Sequence, residues 1–308
     1  MTWNLEWFYD DDSGDNYSKL AKEKSSPSRP EWDWKRDAVA LRIAKVQPSL
    51  LAFQEVENRR VLWYLTRALT RNHKLEYDEL GIQSRDHFTE QDVGMLFRPP
   101  MECLSVSQGQ LSKKMKSTNQ FSDVTKHIIG VYEFTSGDVT EEIIVVNVHL
   151  RSSPEGESIR KKQARLLQSW VAPYVRDGKN VIVLGDFNTE AKGDVIVKES
   201  DMGIVAGLET ADPSDDLVDL HLRIPSSERG THLLEGRQFD RILCSPSLIE
   251  DDPARKDLVF EKAEVLRGLV IQGQQDTREE HWQSYWKLPA DQRDLSDHYP
   301  VMATFRMR

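Results

Sequence analysis

Apolar residues along the chain fall mainly into short runs and alternating positions, a pattern typical of buried and half-buried β-strands. Such runs predict strands over residues 3–8, 50–55, 93–97, 128–134, 143–150, 180–184, 239–244, 260–266 and 299–305. Apolar residues at helical spacing predict helices over residues 37–46, 61–69 and 158–175, and the polar segment 9–30 is predicted to be a loop. No repeat or low-complexity linker divides the chain. We therefore expect an α/β protein of one domain, residues 1–308, built on two packed sheets, with a flexible two-domain protein as the alternative.

The charge of the chain limits how it can contact a polyanion. Its 41 basic and 51 acidic residues among 308 give a formal net charge of −10, which excludes a basic surface over the whole protein. A polyanionic partner would have to be held by a local basic cluster or by metal ions. Two cysteines exclude a disulfide framework and a cysteine-rich zinc module. The chain has neither an apolar run that could span a membrane nor a signal peptide, so we expect no integral membrane protein, with secretion possible if upstream residues were removed.

The strongest local motif is the apolar run 181–184 followed by Gly185, Asp186 and Asn188. An apolar strand here brings a carboxylate and an amide to its carboxyl end, where strand alternation places both side chains on one face. Together they can hold a hard cation, a water molecule or a phosphate oxygen. An ordinary turn after a strand uses the same residue types, so this motif does not decide the function by itself.

A second polar row lies on the strand predicted over residues 143–150. Asn147, His149 and Arg151 alternate with apolar residues, so the period of two places the three polar side chains on one face. Such a row suits recognition of an anion. A half-exposed strand with a solvated face is the commoner explanation, and only the combination with other segments favours a site.

Polar residues also mark the ends of other predicted strands. Asp297 and His298 lie just before the last strand, and Asp240 begins an earlier one, from which it can orient a histidine. Glu55 ends a buried strand, where a carboxylate is costly unless it is hydrated, paired or bound to metal, and Asn4 lies on the first strand. Each alone has an ordinary structural explanation. Together, carboxylates, amides and histidines without thiolates favour Mg²⁺ or Mn²⁺ over zinc, and metal-assisted hydrolysis of a phosphate ester.

Six short motifs follow one another from residue 3 to residue 301. They are Trp-Asn4, Gln-Glu55, Asn-Val-His149, Gly-Asp186-Phe-Asn188, Phe-Asp240-Arg-Ile-Leu and Ser-Asp297-His298. In this order they resemble the endonuclease/exonuclease/phosphatase superfamily. The resemblance implies a four-layer αββα sandwich, in which two packed and mostly antiparallel sheets are flanked by helices. It also implies a divalent-metal site, for Mg²⁺ or Mn²⁺, at the rim of the two sheets.

The resemblance further implies roles for the metal and the attacking water. Glu55 would be the main metal ligand, helped by Asn4 and Asp297. Asp186 would orient or deprotonate the water. These roles belong to the matching positions of the motifs and are expectations for this chain.

Phosphate contacts and the two histidines follow from the same resemblance. The expected phosphate contacts are Asn188, Asn4 and Arg151. His298, held by Asp240, would stabilise the pentacovalent state, and His149 would bind phosphate or protonate the leaving oxygen. Which histidine acts as general acid or base stays open. Pancreatic-type deoxyribonucleases orient the equivalent of His149 with a second acid, but here Gln91 occupies the matching position and Asp92 lies beside it, so the orienting residue is uncertain.

The substrate class is less constrained. Inositol-polyphosphate phosphatases of the superfamily usually carry arginine two residues after the motif asparagine, where this chain has Glu190, which is unfavourable beside a highly phosphorylated ring. A sphingomyelinase-like enzyme would need an apolar membrane-docking element, and the loop over residues 272–295 contains Trp282, Tyr285 and Trp286. These aromatic side chains can also stack on nucleobases, at about 1–3 kcal/mol per base, or pack beneath the loop.

Local basic clusters bear on whether so acidic a chain can bind a nucleic-acid backbone. The candidates are Lys113, Lys114 and Lys116 in one segment and Arg160, Lys161, Lys162 and Arg165 in another. The second cluster equally fits a solvated helix face. An acidic run at residues 10–15 lacks the spacing of a calcium loop. We predict a Mg²⁺- or Mn²⁺-dependent phosphodiesterase, an endonuclease acting on DNA or RNA. The alternatives are a lipid- or sugar-phosphate esterase and a non-catalytic binding module on the same fold.

Overall fold

The computed structural model describes residues 1–111, 115, 117–254 and 256–308. Within them, twelve strands form two six-stranded sheets. The strands are β1 (Thr2–Phe8), β2 (Leu50–Val56), β3 (Asp78–Ile82), β4 (Asp92–Phe97), β5 (Met101–Ser107), β6 (Lys126–Ser136), β7 (Val139–His149), β8 (Asn180–Asp186), β9 (Val218–Asp219), β10 (Asp240–Cys244), β11 (Leu258–Val265) and β12 (Val301–Met307). The α-helices are α1 (Lys19–Lys24), α2 (Arg29–Val46), α3 (Arg59–Ala68), α4 (Glu157–Arg176), α5 (Asp201–Val205) and α6 (Arg278–Gln283).

Each sheet is built around one parallel pair of strands. The first sheet has the order β11-β12-β1-β2-β4-β3, and the second has the order β5-β6-β7-β8-β10-β9. Strands β1 and β2 are parallel, as are β7 and β8, and the other neighbours are antiparallel. A parallel pair needs a crossover connection, which α1 and α2 provide in the first sheet and α4 in the second. The expectation of two mostly antiparallel sheets is therefore confirmed.

Three apolar layers separate four layers of secondary structure. The layer between the sheets includes Ala52, Met95, Val145, Leu184 and Ile242. The layer between the first sheet and helices α2 and α3 includes Trp3, Phe8, Trp32, Ile43 and Leu65. The layer between the second sheet and α4 includes Val146, Val148, Leu167, Val171 and Val183. The alternation of side chains along β7 produces this division, because Val145 faces the other sheet while Val146 and Val148 face α4. The four-layer αββα sandwich is confirmed.

The helices differ from the prediction mainly in α2. This helix begins at Arg29, inside the segment predicted as a loop, and Pro30 lies in its first turn, where a missing backbone N–H costs nothing. Lys35 and Arg36 are buried beside apolar residues, so the apolar stripe that would reveal a longer helix is interrupted. Short helices α1, α5 and α6 were also not predicted. None of the helices in the described residues is long and apolar enough to cross a membrane.

Strands β3, β5 and β9 were not predicted either. Each is an edge strand of its sheet. Strand β5 is mostly exposed beyond Met101. An edge strand with little buried surface has no need for alternating apolar residues. The sequence pattern therefore identified the central strands and the edge strand β11, and missed the other three edge strands.

Candidate active site

The carboxyl ends of β7 and β8 contribute the first side chains of the site. These strands end in register at His149 and Asp186, and the antiparallel strand β10 starts opposite Asp186 at Asp240. Neighbouring strands lie about 4.8 Å apart, so the three side chains form a row across the second sheet. All three are buried.

A close approach of two backbones shapes the end of β8. Gly185 has a φ of 138°, and a Cβ there would lie 2.0 Å from the carbonyl oxygen of Val148, so only glycine fits. Just beyond it, the backbone N–H of Asn188 donates to Asp186 Oδ1 at 2.8 Å, and Asn188 Nδ2 donates to Asp186 Oδ2 at 3.1 Å. The two side chains are therefore joined by a tight turn, with Asn188 at a φ of 50°. The strand alternation that the sequence suggested is not what brings them together.

The first sheet contributes Asn4 and Glu55. Asn4 is fully buried, and its Nδ2 donates to Glu55 Oε1 at 3.3 Å and to Asp186 Oδ2 at 3.0 Å, which links the two sheets. Its Oδ1 accepts the backbone N–H of Glu6 at 3.0 Å. In this orientation Asn4 positions two carboxylates. Its roles as a metal ligand and as a phosphate contact stay predictions.

Glu55 has an unusual backbone conformation. Its φ is 59°, and the pairing of β2 with β4 shifts register between Gln54 and Val56. A left-handed conformation outside glycine costs about 1–3 kcal/mol and concentrates at functional sites. Burial, followed by the nearby carboxylate of Asp297, raises the pKa of Glu55 to about 7. A bound cation would stabilise a carboxylate that is so costly to charge, which makes Glu55 a candidate metal ligand.

His298 is surrounded by carboxylates. Its Nδ1 lies 2.7 Å from Asp240 Oδ2, and its Nε2 lies 3.9 Å from Asp186 Oδ2 and 3.8 Å from Asp297 Oδ1. Burial opposes charging of the imidazole, but Asp240 and then Asp186 outweigh it, and together they raise the pKa of His298 well above its usual value. His298 is therefore a buried imidazolium whose Nε2 faces the centre of the site.

His149 lies in the opposite electrostatic environment. Its Nε2 is 3.5 Å from Asp186 Oδ2 and 3.9 Å from Glu55 Oε1, while its buried Nδ1 has no hydrogen-bond partner among the described residues. Burial, followed by the charges of Lys126 and His298, holds the pKa of His149 well below its usual value. The imidazole of His149 is therefore neutral.

The expected orienting residue for His149 is absent among the described residues. Asp92 accepts the backbone N–H of Ser84 at 2.7 Å, and Gln91 Oε1 accepts a hydrogen bond from Lys126 Nζ at 2.9 Å. Lys126 pairs directly with His149 across β6 and β7. A cation thus lies where an orienting acid was sought.

These donors fit a divalent metal. Glu55 and Asp297 are carboxylates that repel each other in a buried setting, and a bound cation would relieve that repulsion. Asp186 is a further carboxylate beside them, since Asn4 Nδ2 donates to both Glu55 and Asp186. An oxygen-rich, partly charged set of this kind suits a hard cation.

Several contributors to the site were not predicted from the sequence. His232 Nε2 lies 3.4 Å from Asp297 Oδ2, and its ring packs edge-on against His298 at 4.6 Å. Trp282 Nε1 donates to the same Asp297 oxygen at 3.1 Å. Lys126 arrives through strand pairing. The only sequence signal for Trp282 was its place in the aromatic loop 272–295. No sequence signal pointed to His232, because it reaches the site through an isolated bridge to His298.

Arg151 and Asn147 are not part of this cluster. Strand β7 ends at His149, so Arg151 lies beyond it and is exposed. Asn147 is fully buried and donates to the backbone carbonyls of Phe53 and Gly94 at 2.9 and 3.0 Å. It joins the two sheets and is not free to contact an anion. The predicted row of three polar side chains therefore reduces to His149, and a phosphate contact by Arg151 stays an untested prediction.

The basic and acidic clusters noted in the sequence have other structural roles where they can be described. Arg160 is fully buried and binds Asp201 Oδ2 at 2.8 Å, and Arg165 pairs with Glu209. Because Arg160 is buried and Arg165 is paired, helix α4 does not offer these two arginines as a continuous basic face for a nucleic-acid backbone. The cluster of Lys113, Lys114 and Lys116 lies outside the described residues. In the acidic run 10–15, Arg60 forms salt bridges with Asp10 and Asp15.

Comparisons with known proteins identify the family and the fold. A model of the Endonuclease/Exonuclease/phosphatase family matches residues 1–298. Among curated proteins, none matches the chain. Solved structures of similar fold include an endonuclease/exonuclease/phosphatase from Bacteroides vulgatus, with a TM-score of 0.57 at 18% identity over 100% of this chain and 97% of that one. Two others are a mannosyl-6-phosphatase from Bacteroides thetaiotaomicron (TM-score 0.59, 16% identity, 99% and 98% coverage) and the human Nocturnin catalytic domain (0.58, 15%, 99% and 93%). At these identities, the structural similarity shows the fold alone.

Proposed function

The chain belongs to the endonuclease/exonuclease/phosphatase family of metal-dependent phosphoesterases, and we propose that it is a phosphodiesterase, an endonuclease that cleaves nucleic acid with Mg²⁺ or Mn²⁺. One observation carries the proposal. Asp186 lies between a neutral and a charged imidazole, 3.5 Å from His149 Nε2 and 3.9 Å from His298 Nε2. Such a set offers a base for water, a cation for phosphate charge and a neutral group for the leaving oxygen.

The metal would be held by Glu55 and Asp297, with Asn4 beside them. When bound, it supplies Lewis acidity toward a phosphate oxygen and offsets the negative charge of the substrate. The protein contributes the alignment, because Asn4 Nδ2 links Glu55 to Asp186. The ligand roles of these residues are part of the proposal.

The side chains divide the proton chemistry between them. Burial raises the pKa of Asp186 above its usual value, although the His298 charge opposes this, so its carboxylate can accept a proton from water at Oδ2. His298 stays charged against Asp240 and stabilises the negative charge that grows on the phosphorus oxygens. His149 is neutral, so its Nε2–H can hydrogen-bond the leaving oxygen, which takes its proton from solvent. Asn188 completes the site by fixing the turn that holds Asp186.

A sugar- or lipid-phosphate monoester is a second candidate, favoured by one observation. Glu190 stands where a cation would serve a phosphorylated ring, but it pairs with Arg237, whose guanidinium lies 5.7 Å from the Phe239 ring. The guanidinium of Arg237 offsets the charge of Glu190. The objection that Glu190 raised against a highly phosphorylated substrate is therefore weaker than the sequence suggested.

The proposal is tested with three substrates, each with Mg²⁺, Mn²⁺ or EDTA: an unstructured oligonucleotide, bis-(p-nitrophenyl) phosphate and p-nitrophenyl phosphate. We expect EDTA-sensitive cleavage of the two diesters that is lost in Asp186→Asn. Turnover of p-nitrophenyl phosphate alone would support the monoester alternative. Diester cleavage that survives EDTA or the Asp186 substitution would contradict the proposed site. Isothermal titration of Mn²⁺ into the protein and into Glu55→Gln gives a readout of metal binding that does not depend on turnover.

A further inference from the structure

A cleft of about 330 Å³ lies directly beside the candidate active site. It separates the end of β1 and helices α1 and α2 from the segment that contains α6. Its walls include three tryptophans, three lysines and two glutamates: Trp7, Trp282, Trp286, Lys24, Lys35, Lys287, Glu6 and Glu23. Trp7 and Trp286 are half-buried, and Trp282 is 40% exposed. Indole surface and cationic groups therefore occur together in an otherwise acidic protein.

The walls of this indole cleft are bonded to the proposed metal ligands. The backbone N–H of Trp7 donates to Glu55 Oε2 at 3.2 Å, and Trp282 Nε1 donates to Asp297 Oδ2 at 3.1 Å. The backbone N–H of Asp297 in turn donates to Glu6 Oε2 at 3.1 Å. A group bound in the cleft would therefore adjoin the atoms at which a phosphodiester reacts.

The acidic wall of the cleft is neutralised from within. Glu6 Oε2 lies 2.5 Å from Nε2 of the fully buried His281, whose Nδ1 lies 2.9 Å from Asp276 Oδ2. Burial opposes the charge on this imidazole, but Glu6 and Asp276 outweigh it and raise the pKa of His281 to about 10. His281 and Glu6 thus form a charged pair. Apart from this pair, the charged groups lining the cleft are Lys24, Lys35, Lys287 and Glu23, and Glu23 also pairs with Lys19 at 3.5 Å, so lysines predominate.

Two lysines determine what charge a ligand that stacks on these aromatic side chains can carry. Lys24 Nζ lies 5.3 Å from the centre of the Trp7 ring. Lys35 is 3% exposed, and its Nζ donates to the carbonyl oxygen of Glu6 at 2.6 Å while lying 5.7 Å from the Tyr285 ring. A quaternary ammonium headgroup, which aromatic cages otherwise attract, would be repelled by two ammonium groups. A flat ligand that carries negative charge suits both the indoles and the lysines.

We propose that the indole cleft binds an unpaired nucleobase of the substrate, stacked on Trp7, with Lys24 and Lys35 contacting the adjoining phosphate. The inference rests on the proposed phosphodiesterase function and narrows its substrate to single-stranded nucleic acid or nucleotide esters. A base in a duplex would first have to leave its stack, which costs a few kcal/mol, whereas an unpaired base gains stacking energy on an aromatic side chain. Single strands are therefore cleaved faster than duplexes of the same sequence.

The test compares two chromogenic diesters that differ by one nucleoside. They are the p-nitrophenyl ester of thymidine 5′-monophosphate and bis-(p-nitrophenyl) phosphate, each measured with Mn²⁺ in the wild type and in Trp7→Ala. We expect the ratio of their kcat/KM values to fall by about 10-fold in Trp7→Ala, in line with the loss of one stacked base. Trp63→Ala is the matched control, since Trp63 is a similarly exposed tryptophan on α3, away from the cleft, and its ratio stays unchanged. An unchanged ratio in Trp7→Ala would overturn the inference.

A binding measurement separates failure of the cleft from failure of the catalytic proposal. Thymidine 5′-monophosphate is titrated by calorimetry into the wild type, Lys35→Met and Lys45→Met, the last carrying the same change at an exposed position of the same helix. We expect affinity to fall at least fivefold only in Lys35→Met. If both diesters are inert but the nucleotide still binds through Lys35, the cleft stands and the proposed function fails. If the diesters are hydrolysed and the nucleotide binds all three proteins equally, the proposed function stands and the cleft inference is wrong.

Discussion

Two imidazoles face the same carboxylate in this protein, and their surroundings give them opposite charge. His298 has Asp240 at 2.7 Å, with Asp186 and Asp297 within 4 Å. His149 has Lys126 as its cross-strand neighbour, and its Nδ1 has no partner among the described residues. Both rings are buried, so burial cannot explain the difference. The difference follows from the short Asp240 contact at His298 and from the two cations, Lys126 and His298, that act on His149.

This contrast separates two tasks that one residue type performs. A buried imidazolium held by an acid can stabilise negative charge throughout a reaction without exchanging its proton. A buried neutral imidazole can instead donate a hydrogen bond or accept a proton at Nε2, according to its tautomer, as bonds change. Sequence motifs present both residues simply as histidine. The assignment of roles comes from the surrounding strands.

The largest effect should come from the residue that both imidazoles share. We expect Asp186→Asn to lower kcat on a phosphodiester by about 10³- to 10⁴-fold, because the variant removes the group that accepts the proton from water. The asparagine keeps the size of the side chain and one acceptor oxygen for the N–H of Asn188. The measurement is single-turnover hydrolysis with Mn²⁺, with circular dichroism to confirm the fold. A loss below about tenfold would show that another group activates the water.

Replacing each histidine by glutamine tests the contrast itself. We expect His298→Gln to lower kcat by about 10²- to 10³-fold and His149→Gln by only about 10-fold. A neutral amide can hydrogen-bond where a neutral imidazole did, but no neutral group replaces an imidazolium opposite a growing negative charge. Rates are compared on bis-(p-nitrophenyl) phosphate, whose leaving group needs little protonation, and on an oligonucleotide. Equal losses in the two variants on both substrates would contradict the assignment.

Sequence reasoning reached the residues whose signal is local. Asp186 and Glu55 end apolar strands, where a carboxylate is costly without a cation or a partner, so they stand out in the chain itself. Asp240 lies 58 residues from the His298 that it orients, and the ordered motifs connected the two. The central strands and the two-sheet sandwich followed in the same way from runs of buried residues.

The remaining contributors depend on pairing that the sequence does not reveal. Lys126 faces His149 only because β6 and β7 pair in one particular register, and a shift of one residue would turn it to the other side. His232 lies in an irregular segment and meets His298 through an isolated bridge. Arg160 shows the opposite error, since helical spacing identified a basic helix but not that this arginine faces inward to Asp201.

A third imidazole, that of His281, shows how a buried charge affects stability when it does not contact the reacting atoms. His281 is charged, like His298, but its partners are Glu6 and Asp276. We expect His281→Gln to lower the free energy of unfolding by about 3 kcal/mol at pH 6, because the substitution leaves the buried Asp276 and the half-buried Glu6 without their cation. His87→Gln, at an exposed position, serves as the control and should stay within about 0.5 kcal/mol of the wild type.

The pH dependence of this stabilisation has a definite sign. The folded pKa of His281 is raised to about 10, above the value of about 6.5 for an unfolded chain, so its contribution is complete below pH 6.5 and is lost as the pH rises toward 10. Urea unfolding of the wild type and the variant at pH 6, 8 and 9.5 checks this. The difference in free energy should narrow with rising pH. A difference that stays constant would show that His281 contributes packing and not charge.

The smallest expected effect concerns Arg151, the one predicted phosphate contact that lies outside the cluster. It follows His149 beyond the end of β7 and is exposed. Its backbone N–H donates to Gln163 at 2.9 Å and its carbonyl accepts from Arg160 at 3.1 Å, and alanine keeps both. We therefore expect Arg151→Ala to change kcat/KM on an oligonucleotide by less than about twofold, as for other exposed substitutions. A tenfold loss would mean that the substrate phosphate meets a cation on the His149 side as well. The division of labour between a charged and a neutral histidine would then be less complete than the buried groups alone indicate.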